Sequence, residues 1–177
     1  MASNISPQEQ LKAQTWLIRN FPQLTYDSKF CVTSPVTAVY NCIAWAMGLN
    51  DRWVDPAIYI PGHWWPPIPE RDLNPDSLVK AFEYMGFIQC PNGNAEPDFD
   101  KVALYKKGAN WTHAARILMD NEYHSKMGEA WNIHHSSGNI FEDSVYGKIY
   151  TYMKRPIKYR YCFDDFLKEE GEIDVKW

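Results

Sequence analysis

Tyr40-Asn41-Cys42-Ile43-Ala44-Trp45-Ala46-Met47-Gly48 is the stretch on which the reading of this chain turns. Thr33, Ser34, Pro35 and Thr37 precede it with loop chemistry, and apolar residues then run unbroken from Cys42 to Met47. Gly48 suits the left-handed residue that closes a helix, so the pattern predicts a short buried helix over roughly residues 41–47. Asn41 suits the N-cap, which places Cys42 in the first turn. A thiol there faces unpaired backbone N–H groups and the positive end of the helix dipole, and both favour thiolate. Cysteine is also among the most buried residue types, so the same position equally suits a packing role.

Working outward, Ser6-Pro7 opens a first helix as N-cap and N1, and Asn20-Phe21-Pro22 ends it. Residues 22–39 read as mostly irregular. Asp51 to Pro69 is rich in tryptophan and proline, which forbids regular helix and weakens any strand. A stiff loop of this kind suits one wall of a substrate cleft, with Trp64 and Trp65 as binding rings, or a loop pinned to the fold by its indoles. Asn74-Pro75 starts another helix, which Gly86 stops, and 87–90 is short and strand-like. Strands are then expected at 101–106, 111–119, 122–127, 145–153 and 159–163, with a turn at Asp120-Asn121, and 129–144 reads as loop. A short helix is possible at 164–168. Helices early and strands late give an α+β class, in one domain spanning 1–177.

Composition narrows the function. The 177 residues are enough for one domain with a real core. The net charge of -4 argues against nucleic acid as a partner. No apolar run approaches the ~20 residues needed to span a bilayer, and Met-Ala-Ser-Asn-Ile-Ser-Pro lacks a secretory leader pattern. A cytoplasmic protein with no membrane partner is therefore expected, non-classical export aside. The 4 cysteines show no CxxC spacing, so free thiols are expected. His124, His134 and His135 lie near one another without HxxxH or HExxH spacing, and no metal or other cofactor is expected.

A base for Cys42 is available in His113, which opens the apolar strand after Asn110-Trp111-Thr112. The group that orients its ring depends on hairpin register, because one residue of slip exchanges the faces. A two-residue turn brings His124 and Lys126 to the side of His113. A three-residue turn brings Ser125 there and sets Glu129 opposite. Only an acceptor can take the imidazole N–H, which favours Glu129, then Ser125, and admits His124. Lys126 suits a substrate carboxylate or a surface ion pair. Backbone N–H of Cys42, with Tyr40 or Asn41, would line an oxyanion hole.

The run Asp100-Lys101-Val102-Ala103-Leu104-Tyr105, the polar hairpin, His113-Ala114-Ala115-Arg116-Ile117-Leu118 and one further strand resemble the second half of the NlpC/P60 and CHAP cysteine peptidase-amidases. Those families pair a cysteine at a helix N-terminus with a histidine opening a strand, the chain order of papain-like hydrolases. The resemblance covers roughly residues 35–130. It implies a papain-like fold, with N-terminal helices packed on a C-terminal antiparallel sheet, and a Cys42–His113 dyad. The Ser-Gly that follows the NlpC/P60 cysteine is replaced here by Ile43-Ala44. Tyr-Asn-Cys-Ile-Ala-Trp-Ala, His-Ala-Ala-Arg and Ser-Lys-Met-Gly-Glu are also similar to motifs of a family of uncharacterised bacterial proteins. Thiol-dependent hydrolysis or acyl transfer on an amide or peptide bond is the expected function. The other expectation is a non-enzymatic binding protein on the same scaffold, of toxin–immunity or effector type, with a protein partner.

Overall fold

A computed structural model describes residues 5–159. Helix α1 (Pro7–Asn20) starts as expected: the Ser6 hydroxyl accepts from the Glu9 N–H and Pro7 fills N1. After a 3-10 turn over Pro22–Tyr26 comes strand β1 (Cys31–Val32), in the segment expected to be irregular. Helix α2 (Cys42–Met47) has Asn41 as its N-cap and Gly48 at φ 97° as its stop. The Trp/Pro segment holds two short parallel strands, β2 (Trp53–Val54) and β3 (His63–Trp64), which form a small sheet of their own. Helix α3 (Pro75–Tyr84) is capped by Asn74.

The remaining strands are β4 (Ile88–Cys90), β5 (Phe99–Lys107), β6 (Asn110–Ile117), β7 (Tyr123–Lys126), β8 (Asn132–His135) and β9 (Lys148–Pro156). They join β1 in one antiparallel sheet of order β1-β8-β7-β6-β5-β9-β4. The class is α+β, a large antiparallel sheet with few helices. Strand β8 lies inside the 129–144 stretch expected to be loop. Its residues, Asn-Ile-His-His, carry weak apolar alternation, and their pairing with β7 and the distant β1 supplies the missing specification. The expected 159–163 strand and 164–168 helix fall outside the described residues, apart from Tyr159.

Both sheet faces are covered. Along β5, Val102 and Leu104 join the core with Ile43, Met47, Leu78 and Phe82 of α2 and α3, while Ala103 and Tyr105 join the core with Leu17 of α1, Phe21 and Phe141. Successive side chains point to opposite faces, so a strand buried on both sides reads as a continuous apolar run. Arg155, fully buried, pairs with Asp100 at 3.1 Å and donates to the Met47 and Met85 carbonyls. One guanidinium on β9 therefore ties down the C-terminal ends of α2 and α3. Among the described residues no helix is long and apolar enough to cross a membrane, and Cys31, Cys42 and Cys90 are free.

Candidate active site

Asn41 builds the start of α2. Its Oδ1 accepts from the Ala44 N–H at 3.0 Å and the Val54 N–H at 3.2 Å, and its Nδ2 donates to the Val54 carbonyl at 2.9 Å. Every polar atom of this buried amide is thus used to cap the helix and dock it on β2. The Asn41 side chain is engaged in structural bonds that join α2 to β2.

Cys42 follows at the first helical position and is 8 % exposed. Burial pushes its thiol up to about 11, while the N–H groups of Ala114, Cys42 and Ile43 and the Lys126 charge pull the other way. The β6–β7 pairing begins only at Ala115↔Ser125, which leaves the strand open one residue earlier, where the Ala114 N–H meets the sulfur. At rest the thiol is protonated, because desolvation outweighs the N–H groups and the Lys126 charge that favour the anion.

Lys126 is buried near this thiol, and its ammonium donates to the carbonyls of Thr37 at 2.7 Å, Gly128 at 2.6 Å and Ala130 at 2.9 Å. All three N–H bonds are spent inside the protein, so neither a surface ion pair nor a free substrate clamp describes it. Burial lowers it to about 8, with Cys42 and Glu129 opposing that fall.

His113 is fully buried on β6, on the α1 side of the sheet. Its ring meets Tyr105 and Phe141 edge-on and lies flat against Tyr146, with centroids 4.1 Å apart and planes 9° from parallel. Its Nε2 is 3.1 Å from Ser125 Oγ, Ser125 Oγ is 2.8 Å from His135 Nε2, and His135 Nδ1 is 2.9 Å from the Ser137 carbonyl.

The proton order in this chain is forced from its far end. A carbonyl only accepts, so His135 Nδ1 carries the hydrogen. Burial holds His135 down to about 4, so its ring is neutral and Nε2 accepts from the Ser125 hydroxyl. The spent hydroxyl must then accept from His113 Nε2–H. Burial and the neighbouring His135 keep His113 neutral too, which leaves its Nδ1 a bare lone pair. That nitrogen is buried and has no hydrogen-bond partner.

Ser125 is therefore the residue that orients the imidazole. The turn has three residues, Met119 to Asn121, closed by the Leu118 N–H donating to Glu122, with Asn121 at φ 64°. Extending the Ala115↔Ser125 register puts Met127, not Glu129, opposite His113. Glu129 is exposed in the turn that the Ala130 N–H closes onto Met127, and it does not orient His113. His124 sits on the α2 face with Trp45, and its Nε2 is 2.7 Å from Thr33 Oγ1.

The thiol and the imidazole are not hydrogen-bonded to each other: they sit in the cores on either side of β6, beside its open end. Tyr146 is the side chain common to both, stacked on His113 and with its phenol in the field of Cys42. Tyr146 also forms part of a groove of about 590 Å³, with Trp16, Trp131, Val36 and Val145 among its walls. Neither Trp64 nor Trp65 reaches that groove. Trp65 is 3 % exposed, stacks on Trp111 and donates to the Glu70 carbonyl, and Trp64 packs half-buried below Arg52. Trp53 and His63 of the same segment border a second groove with Ala38 and Glu129.

Two members of the site were not anticipated. His135 was legible only as one of an adjacent pair that points to opposite faces, and Tyr146 only as an aromatic beside Gly147. Among the described residues no three His, Cys, Asp or Glu side chains converge as a metal site. Residues 31–154 match the family model of DUF7689, a domain of unknown function. The chain belongs to that family. No curated protein and no solved structure matches it.

Proposed function

We propose that this DUF7689 chain is a thiol hydrolase or acyltransferase acting on an amide or peptide bond, on a papain-like arrangement held closed around its nucleophile. The observation that carries the reading is the bare, unpartnered Nδ1 of His113, fixed by the Ser125–His135–Ser137 chain on the strand whose next N–H meets Cys42. A buried nitrogen with no partner costs stability, about 1–3 kcal/mol, and a proton-accepting role accounts for its retention.

In this reading substrate entry at the open end of β6 first brings together the sulfur and the imidazole, which rest in the cores on either side of that strand; the Cys42 proton then passes to His113 Nδ1 and the thiolate attacks the substrate carbonyl. The oxyanion meets the backbone N–H groups at the start of α2. His113 then gives its proton to the leaving amine, and water or another acceptor releases the acyl-thioester. Ser125 and His135 hold the ring and its tautomer. A helix-borne cysteine packed on an antiparallel sheet that carries the histidine supports the papain-like layout.

The second reading, a non-enzymatic interaction module, is favoured by one specific observation. Cys42 is nearly sealed, and burial pushes its thiol up to about 11, away from the thiolate that a nucleophile uses. The test separates the two. With Cys31, Cys90 and Cys162 replaced by serine, iodoacetamide reports Cys42 alone. Catalysis expects the rate to fall by about tenfold or more in His113→Ala and less in Ser125→Ala. Equal rates in all three proteins would refute the dyad and leave the binding module.

A further inference from the structure

We infer that Tyr146 is a positioning residue, whose ring holds the His113 imidazole in the plane that presents its bare nitrogen and separates it from the groove. This rests on the reading of Cys42 and His113 as nucleophile and base.

The Nε2–Ser125 bond fixes one point of the ring and leaves it free to tilt about that bond. Tyr105 and Phe141 touch the imidazole at 60° and 80°, as edges. Tyr146 alone of these rings lies flat on it, and an offset parallel partner restricts tilt in a way that edges do not. Phe21 stacks on Tyr146 at 25° and 5.3 Å, so the clamp has its own backing.

The loop that delivers this ring is built for it. The Tyr146 carbonyl accepts from Thr112 Oγ1, beside His113 in sequence, and its N–H donates to Ser144 Oγ at 3.1 Å. Lys107 Nζ donates to the Ser144 carbonyl at 2.9 Å. The next residue, Gly147, has φ 69°, and an added Cβ would fall 2.3 Å from the Lys106 carbonyl oxygen, so only glycine lets the loop close on β5. Tyr146 is the one ring that both touches His113 and lines the groove, so a substrate entering there meets it before the base.

Several titratable groups face the imidazole. They are Tyr105 of β5, His135 of β8 through Ser125, and Tyr146 itself, with Cys42 reached through Tyr146. The experiment compares wild type, Tyr146→Phe and Tyr146→Leu by side-chain nitrogen NMR of His113, alongside the pH profile of Cys42 alkylation. Positioning expects Tyr146→Phe to keep the His113 titration and its Nε2–H tautomer. Tyr146→Leu should raise the midpoint by about a unit or more as water reaches the ring, and lower the Cys42 alkylation rate at pH ~7 by severalfold as the base loses its orientation.

An unchanged His113 titration in Tyr146→Leu would overturn the inference, as would a Phe variant that behaves like Leu. The wild-type protein alone supplies a further check: the carbon-bound ring protons of His113 must show the upfield shift of a stacked neighbour, and its absence would also refute the assignment. A His113 titration that moves in Tyr146→Leu, while His113→Ala leaves alkylation unaltered, would retain the clamp and remove the catalytic reading.

Discussion

Acidification should unfold this protein from within, because three histidines are held neutral by burial. Burial keeps His135 down to about 4 and His124 down to about 3, the latter helped by the Arg116 charge, and it holds His113 well below the ordinary value near 6.5. The unfolded chain binds protons at these sites from about pH 6.5 downward and the folded chain does not, so stability falls as pH drops through that window. Moving from about pH 7 to about pH 5, each site loses a little under about 2 kcal/mol, since the unfolded group takes up its proton in this window and the buried one does not. Three sites together approach about 5 kcal/mol, the lower end of the stability of ordinary domains. Thermal unfolding followed by circular dichroism should therefore show Tm falling by about 10–20 °C between those pH values. Replacing His124 by Gln removes one site and should reduce the slope by about a third. A Tm that stays level or rises on acidification would show that these imidazoles are charged in the fold. The proton order of the His113–Ser125–His135 chain would then be wrong.

Three substitutions probe the parts that hold the site. Lys126→Met strands the carbonyls of Thr37, Gly128 and Ala130 and should cost about 3 kcal/mol or more in urea unfolding, whereas a surface lysine would cost close to nothing. Asn41→Ala removes the α2 cap and both Val54 bonds; a loss of about 2–3 kcal/mol is expected, and a value under about 0.5 would contradict its role as the joint between α2 and β2. Gly147→Ala should destabilise by about 1–3 kcal/mol and disturb the His113 ring signals by lifting Tyr146; signals like those of wild type would mean that the loop closes by another route.

Local chemistry determined a good deal by itself. Ser6-Pro7, Asn41, Gly48 and Asn74-Pro75 marked the helix ends because caps and stops act within a few residues, and strands near 101–106, 111–119 and 122–127 followed from alternation and turn residues between them. Cys42 at a helix start and His113 on a strand were legible for the same reason. What the tertiary structure decided was which side chains share a face. The three-residue turn chose Ser125 over His124, since a register shift of one residue exchanges the two sides of a strand, and the Ala115↔Ser125 pairing set Met127 rather than Glu129 opposite His113. Strand β8 needed β7 and β1 to exist at all, so His135 could not be joined to Ser125 from sequence alone. Tyr146 reached His113 through a loop whose path depends on one glycine and one buried carbonyl. Caps and turns are short-range and survive in the letters of the sequence. Proton order and ring stacking are long-range, and they arise only when distant strands are set side by side.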